Sequence, residues 1–320
     1  MEKFEQGLGL VASFYGRDVL PKLRGVPHAA GRIGEGSDVL GLDDVMSSDH
    51  DWGAQRLQIF VPDGVSIEVE GIRSMTPREF FRDYLAYDID CSPTVAEWLT
   101  FSEQKLLSIV KGAIFHDEIG LREIRTRFTY YPHDIWLYQV ASAWHRIGQE
   151  EHLVGRAGYV GDELGAKLIA SRLVRDLMRL SFLYERRYAP YPKWFGTVFG
   201  TLNIAEELQP LLLSVLEASG WEERDARLSA AYRVVARKHN SWKITAPLPE
   251  EPGPFFGRPF HVIHLAGGFA EKITAQIEDP KVRAIAAKGL IGSVDMFSDS
   301  TDVVSHTCWS SEMRQLFRVS

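Results

Sequence analysis

Cysteine is nearly absent. Cys91 and Cys308 are the two in 320 residues, which excludes a disulfide framework and fits a reducing compartment. No uncharged apolar run reaches the ~20 residues that a membrane-spanning helix needs. The opening Met-Glu-Lys-Phe-Glu lacks the basic-then-apolar build of a secretory signal, so a cytoplasmic protein without a membrane partner is expected. Internal repeats and low-complexity tracts are missing, and 45 % hydrophobic with 25 % charged residues excludes a disordered chain. An excess of positive charge is missing too. A formal net charge of −7 argues against bulk nucleic-acid binding, which needs clustered Lys and Arg to neutralise phosphates. It leaves room for a local pocket holding one nucleotide.

What is present reads in two textures. Phe4, Leu8, Ala12, Tyr15, Val19 and Leu23 recur at helical spacing over 4–24, with Pro21 expected to kink or end that helix. A Gly- and Asp-rich stretch covers 31–55. Two short strands are then predicted, Arg56–Val61 and the alternating Val65–Glu70, joined by Pro62-Asp63-Gly64 as a tight hairpin turn. From Thr76-Pro77, a capped helix start with Glu79, the pattern turns helical. Helices are predicted over 94–111, 119–129, 133–152, 162–188, 205–219 and 223–239, with a late strand at 260–265 after a Pro- and Gly-rich connector. The expected class is α/β plus all-α. A small mixed-sheet domain over 1–115 is followed by a mainly helical domain over 116–320, the boundary falling near 110–130.

Chemistry concentrates at Gly34-Glu35-Gly36-Ser37, then Asp49-His50-Asp51, then Glu68 on the alternating strand. A glycine-serine turn lets backbone N–H groups and a hydroxyl approach phosphate oxygens, since glycine has no side chain in the way. Aspartates one residue apart on an extended segment point to one side, and can share magnesium with nucleotide phosphates. A third carboxylate from a neighbouring strand completes the oxygen donors for a second ion. Glu70, on the same face, competes with Glu68 for that place.

This arrangement resembles the DNA polymerase beta-like nucleotidyltransferase superfamily, whose pattern is Gly-Ser, a gap, Asp-x-Asp and a later hydrophobic-acid-hydrophobic strand. Here those elements are Gly36-Ser37, Asp49/Asp51 and Ile67-Glu68-Val69. The fuller wording at 36–41 and 47–53 is similar to an uncharacterised bacterial domain-of-unknown-function branch. That similarity continues through Tyr131-Pro132-His133-Asp134, Gly161-Asp162-Glu163-Leu164, Tyr191–Gly196 and Asp299–Asp302. The layout is similar to that of antibiotic nucleotidyltransferases. The resemblance implies that Asp49, Asp51 and Glu68 hold two Mg2+ ions while Gly36 and Ser37 cradle phosphates. A nucleoside triphosphate, ATP by expectation, would then give its nucleoside monophosphate to a small molecule, a protein side chain or an RNA end. Three positions depart from the pattern: His50 inside Asp-x-Asp, Trp52 after it, and Asp38 where a basic residue often follows the turn.

Cations for the phosphates are sought further on. Arg172, Arg175, Arg179 and Arg186 fall on one arc of an enclosed helix, where each needs either a carboxylate such as Asp176 or Glu185, or a ligand phosphate. Lys193, in Tyr-Pro-Lys-Trp, either reaches the phosphates or lays its stem on Trp194. Asp162 and Glu163 are candidate general bases, or else ordinary acids at a helix N-terminus. Two rival readings remain. Three His-Asp dipeptides, at 50–51, 116–117 and 133–134, suggest a metal-dependent phosphohydrolase. Alternatively, a nucleotide-binding or regulatory protein has kept the fold without the chemistry. The ribonuclease-like spacings of Arg127 with His133 and Arg146 with His152 are what chance gives in a chain with ten histidines.

Overall fold

The computed structural model describes residues 5–49 and 52–319, leaving out the side chains of Ser48 and Asp49. His50 and Asp51 lie outside the described residues. Chain contacts divide the protein into two compact units, 1–130 with 298–316, and 131–297 with 317–320.

The first unit begins with helix α1, Gly7–Phe14. The helical path continues as a wider π turn over Tyr15–Val19 and closes as a 3₁₀ turn over Leu20–Lys22. Pro21, which cannot donate to the turn before it, lies in that last tight turn. The apolar stripe of Val11, Phe14, Tyr15, Val19 and Leu23 packs on a three-stranded sheet through Ala30, Leu57 and Ile59. Strand β1, Ala29–Arg32, is central, flanked by β2, Gln58–Phe60, and the later β5, Ala113–Asp117. Both pairings are antiparallel. A Cβ on Gly31 would sit 2.6 Å from the Ala113 carbonyl oxygen, so glycine is what lets β1 and β5 close up there.

The alternating segment 65–70 forms much less strand than its pattern suggests. Only Glu68–Val69 (β3) is extended, paired with Ile72–Arg73 (β4). Glu70 and Gly71 take left-handed φ values of 52° and 76°, reversing the chain immediately after Val69. Pro62 does start a turn, with Val65 N–H donating to its carbonyl at 3.1 Å, but β2 and β3 do not pair. The edge of β2 is met by Met75 instead, through Val61 N–H to Met75 O and Met75 N–H to Ile59 O, both 3.0 Å. This isolated bridge between Phe60 and Met75 is the parallel element of an otherwise antiparallel sheet.

Helix α3, Pro77–Leu85, starts as its sequence indicates. Thr76 and Glu79 form a reciprocal capping box, with proline in the first turn. The single helix expected over 94–111 is broken into α4, Val95–Thr100, and α5, Glu103–Lys111, because Phe101 and Ser102 are extended. Helix α6, Leu121–Thr126, follows β5, whose Asp117 accepts N–H bonds from Ile119, Leu121 and Arg122. Residues 298–316 return to this unit. Ser102 Oγ donates to Val304 O at 2.8 Å, and Arg314 donates to Ala86 O at 2.7 Å. The division expected at 115/116 falls inside β5, whereas the units part after Tyr130, at the edge of the 110–130 range expected for the boundary.

The second unit is built on two long helices, α7, His133–Tyr159, and α8, Glu163–Tyr184. The stripe Trp136, Val140, Ala143, Trp144 and Ile147 is buried, as its spacing requires. Helices α9, Phe195–Phe199, α10, Ala205–Glu217, and α11, Trp221–Trp242, follow. The late strand shrinks to His261–Val262, because the buried Glu151 carboxylate accepts the N–H groups of Ile263, His264 and Leu265 and starts a helical turn there. Among the described residues, no helix is long and apolar enough to cross a membrane.

Candidate active site in the sheet unit

The glycine-serine turn leaves the end of β1 and is wound around a buried ion pair. Arg32 and Asp38 are almost wholly enclosed. The guanidinium grips both carboxylate oxygens, Nε to Oδ2 at 2.8 Å and Nη2 to Oδ1 at 2.9 Å. Nη2 also donates to Glu35 O at 2.6 Å, so one side chain pins the loop from inside. Gly34, at φ 88°, donates its N–H to Ser108 O on α5 at 3.2 Å. Gly36 sits at φ 144°, and a Cβ there would lie 2.2 Å from both Arg32 Nη2 and Asp38 Oδ1. Glycine at 36 is therefore a steric requirement of the ion pair. Ser37 then opens a single helical turn, α2, Ser37–Leu40, and its hydroxyl has no hydrogen-bond partner among the described residues. Asp38, at the position where a basic residue often follows such a turn, is the scaffold of this one.

Asp49 falls in a 3₁₀ turn, Met46–Asp49, and Asp51 lies outside the described residues. Their flanks are anchored. Trp52 Nε1 donates to Asp43 Oδ2 at 2.9 Å, and the same oxygen accepts Gly7 N–H at 2.7 Å. Asp43 is buried, and its Oδ1 has no hydrogen-bond partner among the described residues. The two candidate third carboxylates differ. Glu70 is ion-paired with Lys22, whereas Glu68 is exposed and makes no ion pair among the described residues.

Beside the turn lies an open pocket of about 840 Å³, walled by Val65, Met75, Phe80 and Tyr84, with Arg73 on its rim. A Cβ built on Gly34 would meet the Phe80 and Tyr84 rings at 3.7 and 3.8 Å, so the pocket adjoins the turn. Behind Tyr84 is Lys105, a buried lysine on α5 that sequence reasoning missed. Its Nζ donates to Tyr84 O at 2.9 Å and forms no ion pair with a described residue. Burial lowers its pKa, while the Glu35 carboxylate in the turn pulls the other way. The Tyr84 hydroxyl is buried near Ser108, and burial raises its pKa. Arg32 and Asp43 were missed as well. A charged residue whose partner is fixed only by the fold gives no periodic signal.

The candidates in the helical unit are mostly committed to neighbours. Arg172 is ion-paired with Glu150. Arg175 and Arg179 lie in the field of Asp176, which Arg146 grips through Nε at 2.9 Å to each oxygen. Burial raises the pKa of Asp176 despite those cations. Lys193 is exposed, its ammonium 4.7 Å from the Trp194 ring centre. Asp162 caps α8 by accepting Gly165 N–H at 2.8 Å, and Glu163 pairs with the buried Arg224 at 2.6 Å. Neither is an uncommitted base. Glu185 accepts N–H groups from Asn203 and Ile204.

The His-Asp dipeptides are also engaged. Asp117 caps α6, and Asp134 accepts the N–H groups of Glu278 and Asp279. The pair at 50–51 lies outside the described residues. His28, His116 and Glu118 do cluster, with His116 Nε2 3.4 Å and His28 Nδ1 4.0 Å from the Glu118 carboxylate. Both ring nitrogens of His28 are already used, Nδ1 by Val26 O at 2.7 Å and Nε2 by the Tyr15 hydroxyl at 2.9 Å. A metal there would have to break one of these bonds, so the donor set does not fit an ion as it stands.

Comparison with known proteins is sparse. A domain of unknown function, DUF4037, matches residues 98–195. That stretch includes Tyr131–Asp134, Asp162, Glu163 and Lys193, and excludes Gly36, Ser37, Asp49, Asp51 and Glu68. No curated protein matches the chain. Among solved structures, a nucleotidyltransferase-like protein from Exiguobacterium sibiricum aligns over 78 % of this chain and 82 % of its own, at 10 % identity and a TM-score of 0.37.

Proposed function

We propose that the sheet unit is a nucleotidyltransferase domain. It binds a nucleoside triphosphate, ATP in the first instance, at the Gly34–Ser37 turn and transfers the nucleoside monophosphate to an acceptor hydroxyl. The observation that carries this reading is the turn itself. Arg32 and Asp38 direct their charges to each other and to the loop backbone, and the Ser37 hydroxyl has no hydrogen-bond partner among the described residues. Asp49, Asp51 and Glu68 are the carboxylates that would hold magnesium. The donors are hard oxygens as that cation demands, and Glu68 is preferred to the ion-paired Glu70. Bound magnesium would supply charge neutralisation at the phosphates.

The residues of the chain do the rest. Gly36 lets the backbone approach the phosphates, Ser37 orients them, and Lys105 adds positive potential from beneath the turn. An acceptor oxygen attacks the α-phosphorus in line. The new P–O bond forms as the bond to the bridging oxygen breaks, pyrophosphate departs, and the hydroxyl proton passes to a base or to water. The acceptor is expected to be a small molecule, seated in the pocket between Phe80 and Arg73.

Pyrophosphate release tests the reading. Intact protein with magnesium, ATP and a panel of hydroxyl acceptors should release pyrophosphate, and Asp49→Asn with Asp51→Asn should lower the rate at least a hundredfold. A rate unchanged in that variant would overturn it. Metal uptake lost in His116 or His133 variants, yet kept in the aspartate variant, would favour the phosphohydrolase instead.

A further inference from the structure

The helical unit contains a second pocket that the proposed transfer chemistry does not use. Its volume is about 290 Å³, at the small end for ligand sites, and its lining includes His133, Trp136, Arg186, Trp242, Lys243 and Glu278. The Arg186 guanidinium lies against two indoles, 4.2 Å from the Trp136 ring centre and 5.3 Å from that of Trp242. Trp136 is held in place by Nε1–H donation to Leu183 O at 2.8 Å. Those ring contacts stabilise a cation but use none of its N–H donors. Arg186 Nε is buried without a hydrogen-bond partner, and the guanidinium has no carboxylate among the described residues. Two acids of this region are otherwise placed. Asp134 turns to the backbone of Glu278 and Asp279, and Glu278 on the rim makes no ion pair with Arg186 or Lys243.

Two features set this pocket apart from a surface dimple. Arg186 and Lys243 both hold left-handed backbone, at φ 48° and 53°, which costs a non-glycine residue free energy. Each brings its cation to the same pocket from the end of a different helix, Arg186 just beyond α8 and Lys243 at the C-cap of α11. The two indole centres lie only 5.5 Å apart, so both rings stand to one side of the guanidinium, and its N–H fork is left to grip two oxygens of one oxyanion. A second cation at that oxyanion favours a doubly charged group over a carboxylate.

We propose that this pocket is a phosphate site for a small phosphate monoester, with Arg186 as the fork and Lys243 as the second charge. The test uses the intact protein without magnesium, titrated calorimetrically with inorganic phosphate and phenyl phosphate, and with acetate and benzoate as singly charged controls. The phosphates should bind at one site and the carboxylates at least tenfold more weakly. Arg186→Asn, which tolerates left-handed backbone, should weaken phosphate binding more than tenfold. Lys243→Asn should do so severalfold with the melting temperature unchanged in phosphate-free buffer. The Asp49→Asn, Asp51→Asn protein should bind as the parent does, which separates this site from the proposed active site. Equal affinity for carboxylates, no phosphate binding by the parent, or binding unaltered by the Lys243 change would overturn the proposal.

Discussion

At Gly36 a single methyl group has nowhere to go. An added Cβ would meet Arg32 Nη2 and Asp38 Oδ1 at 2.2 Å, both belonging to a buried ion pair that cannot swing aside without leaving charges unpaired. Gly36→Ala is therefore expected to cost more than ~2 kcal/mol, combining backbone strain with overpacking. It should also abolish nucleotide binding. Chemical denaturation alongside a nucleotide titration would check this; a variant as stable as the parent would show that the turn is looser than described. Residue types at such positions were partly legible in the sequence. Gly36-Ser37 was visible as a motif, but nothing in the chain's pattern showed that Arg32 and Asp38 would find each other. Buried pairs obey no spacing rule, so Asp38 read as a missing cation when it is half of a brace.

At the scale of elements, α7, α8 and α11 share a hydrogen-bond chain that sets a pH limit. Trp144 Nε1–H donates to the Tyr184 hydroxyl at 2.6 Å, and that hydroxyl meets His239 Nδ1 at 3.0 Å. His239 Nε2 faces Thr245 Oγ1 at 3.0 Å, whose own proton goes to Ala246 O at 2.7 Å. This directionality needs a neutral imidazole, and burial lowers the His239 pKa to about 4. The unfolded chain then binds the proton more readily. The stabilisation is complete above the ordinary histidine pKa and is lost as pH falls from about 6.5 toward 4. Its full size is about 3 kcal/mol. Urea unfolding at pH 7.5 and pH 5 should show a larger loss in the parent than in His239→Gln, and equal losses would contradict the assignment. Element boundaries carried their own lesson. The capping box at Thr76 and Glu79 was readable because both partners are local, and so was the stripe on α7. The alternation at 65–70 misled. It recorded which side chains face the core, Ile67 and Val69 inward, while the left-handed Glu70-Gly71 turn decided how much of it could pair.

On the scale of the whole molecule, the two units are not two consecutive lengths of chain. Residues 298–316 belong with 1–130, bound through Ser102 to Val304, Arg314 to Ala86, and Arg314 to Glu97 at 3.5 Å. A chain ending at 297 should therefore lose protection in α4 and α5 while the helical unit keeps most of its own. Hydrogen exchange would read this directly, and unchanged protection in α4 would refute the pairing. A contiguous domain division was the natural expectation from sequence, because a returning terminal segment leaves no compositional mark on the part it rejoins.

The proposal that Asp49, Asp51 and Glu68 hold a magnesium nucleotide at the Gly34–Ser37 turn is addressed by one pair of variants. ATP affinity should be measured with and without magnesium for the parent, Glu68→Gln and Glu70→Gln. Glu68→Gln should lose the magnesium-dependent part of binding, and Glu70→Gln, which gives up only an ion pair to Lys22, should keep it. Magnesium-dependent binding that survives Glu68→Gln, or that is missing from the parent, would contradict the account.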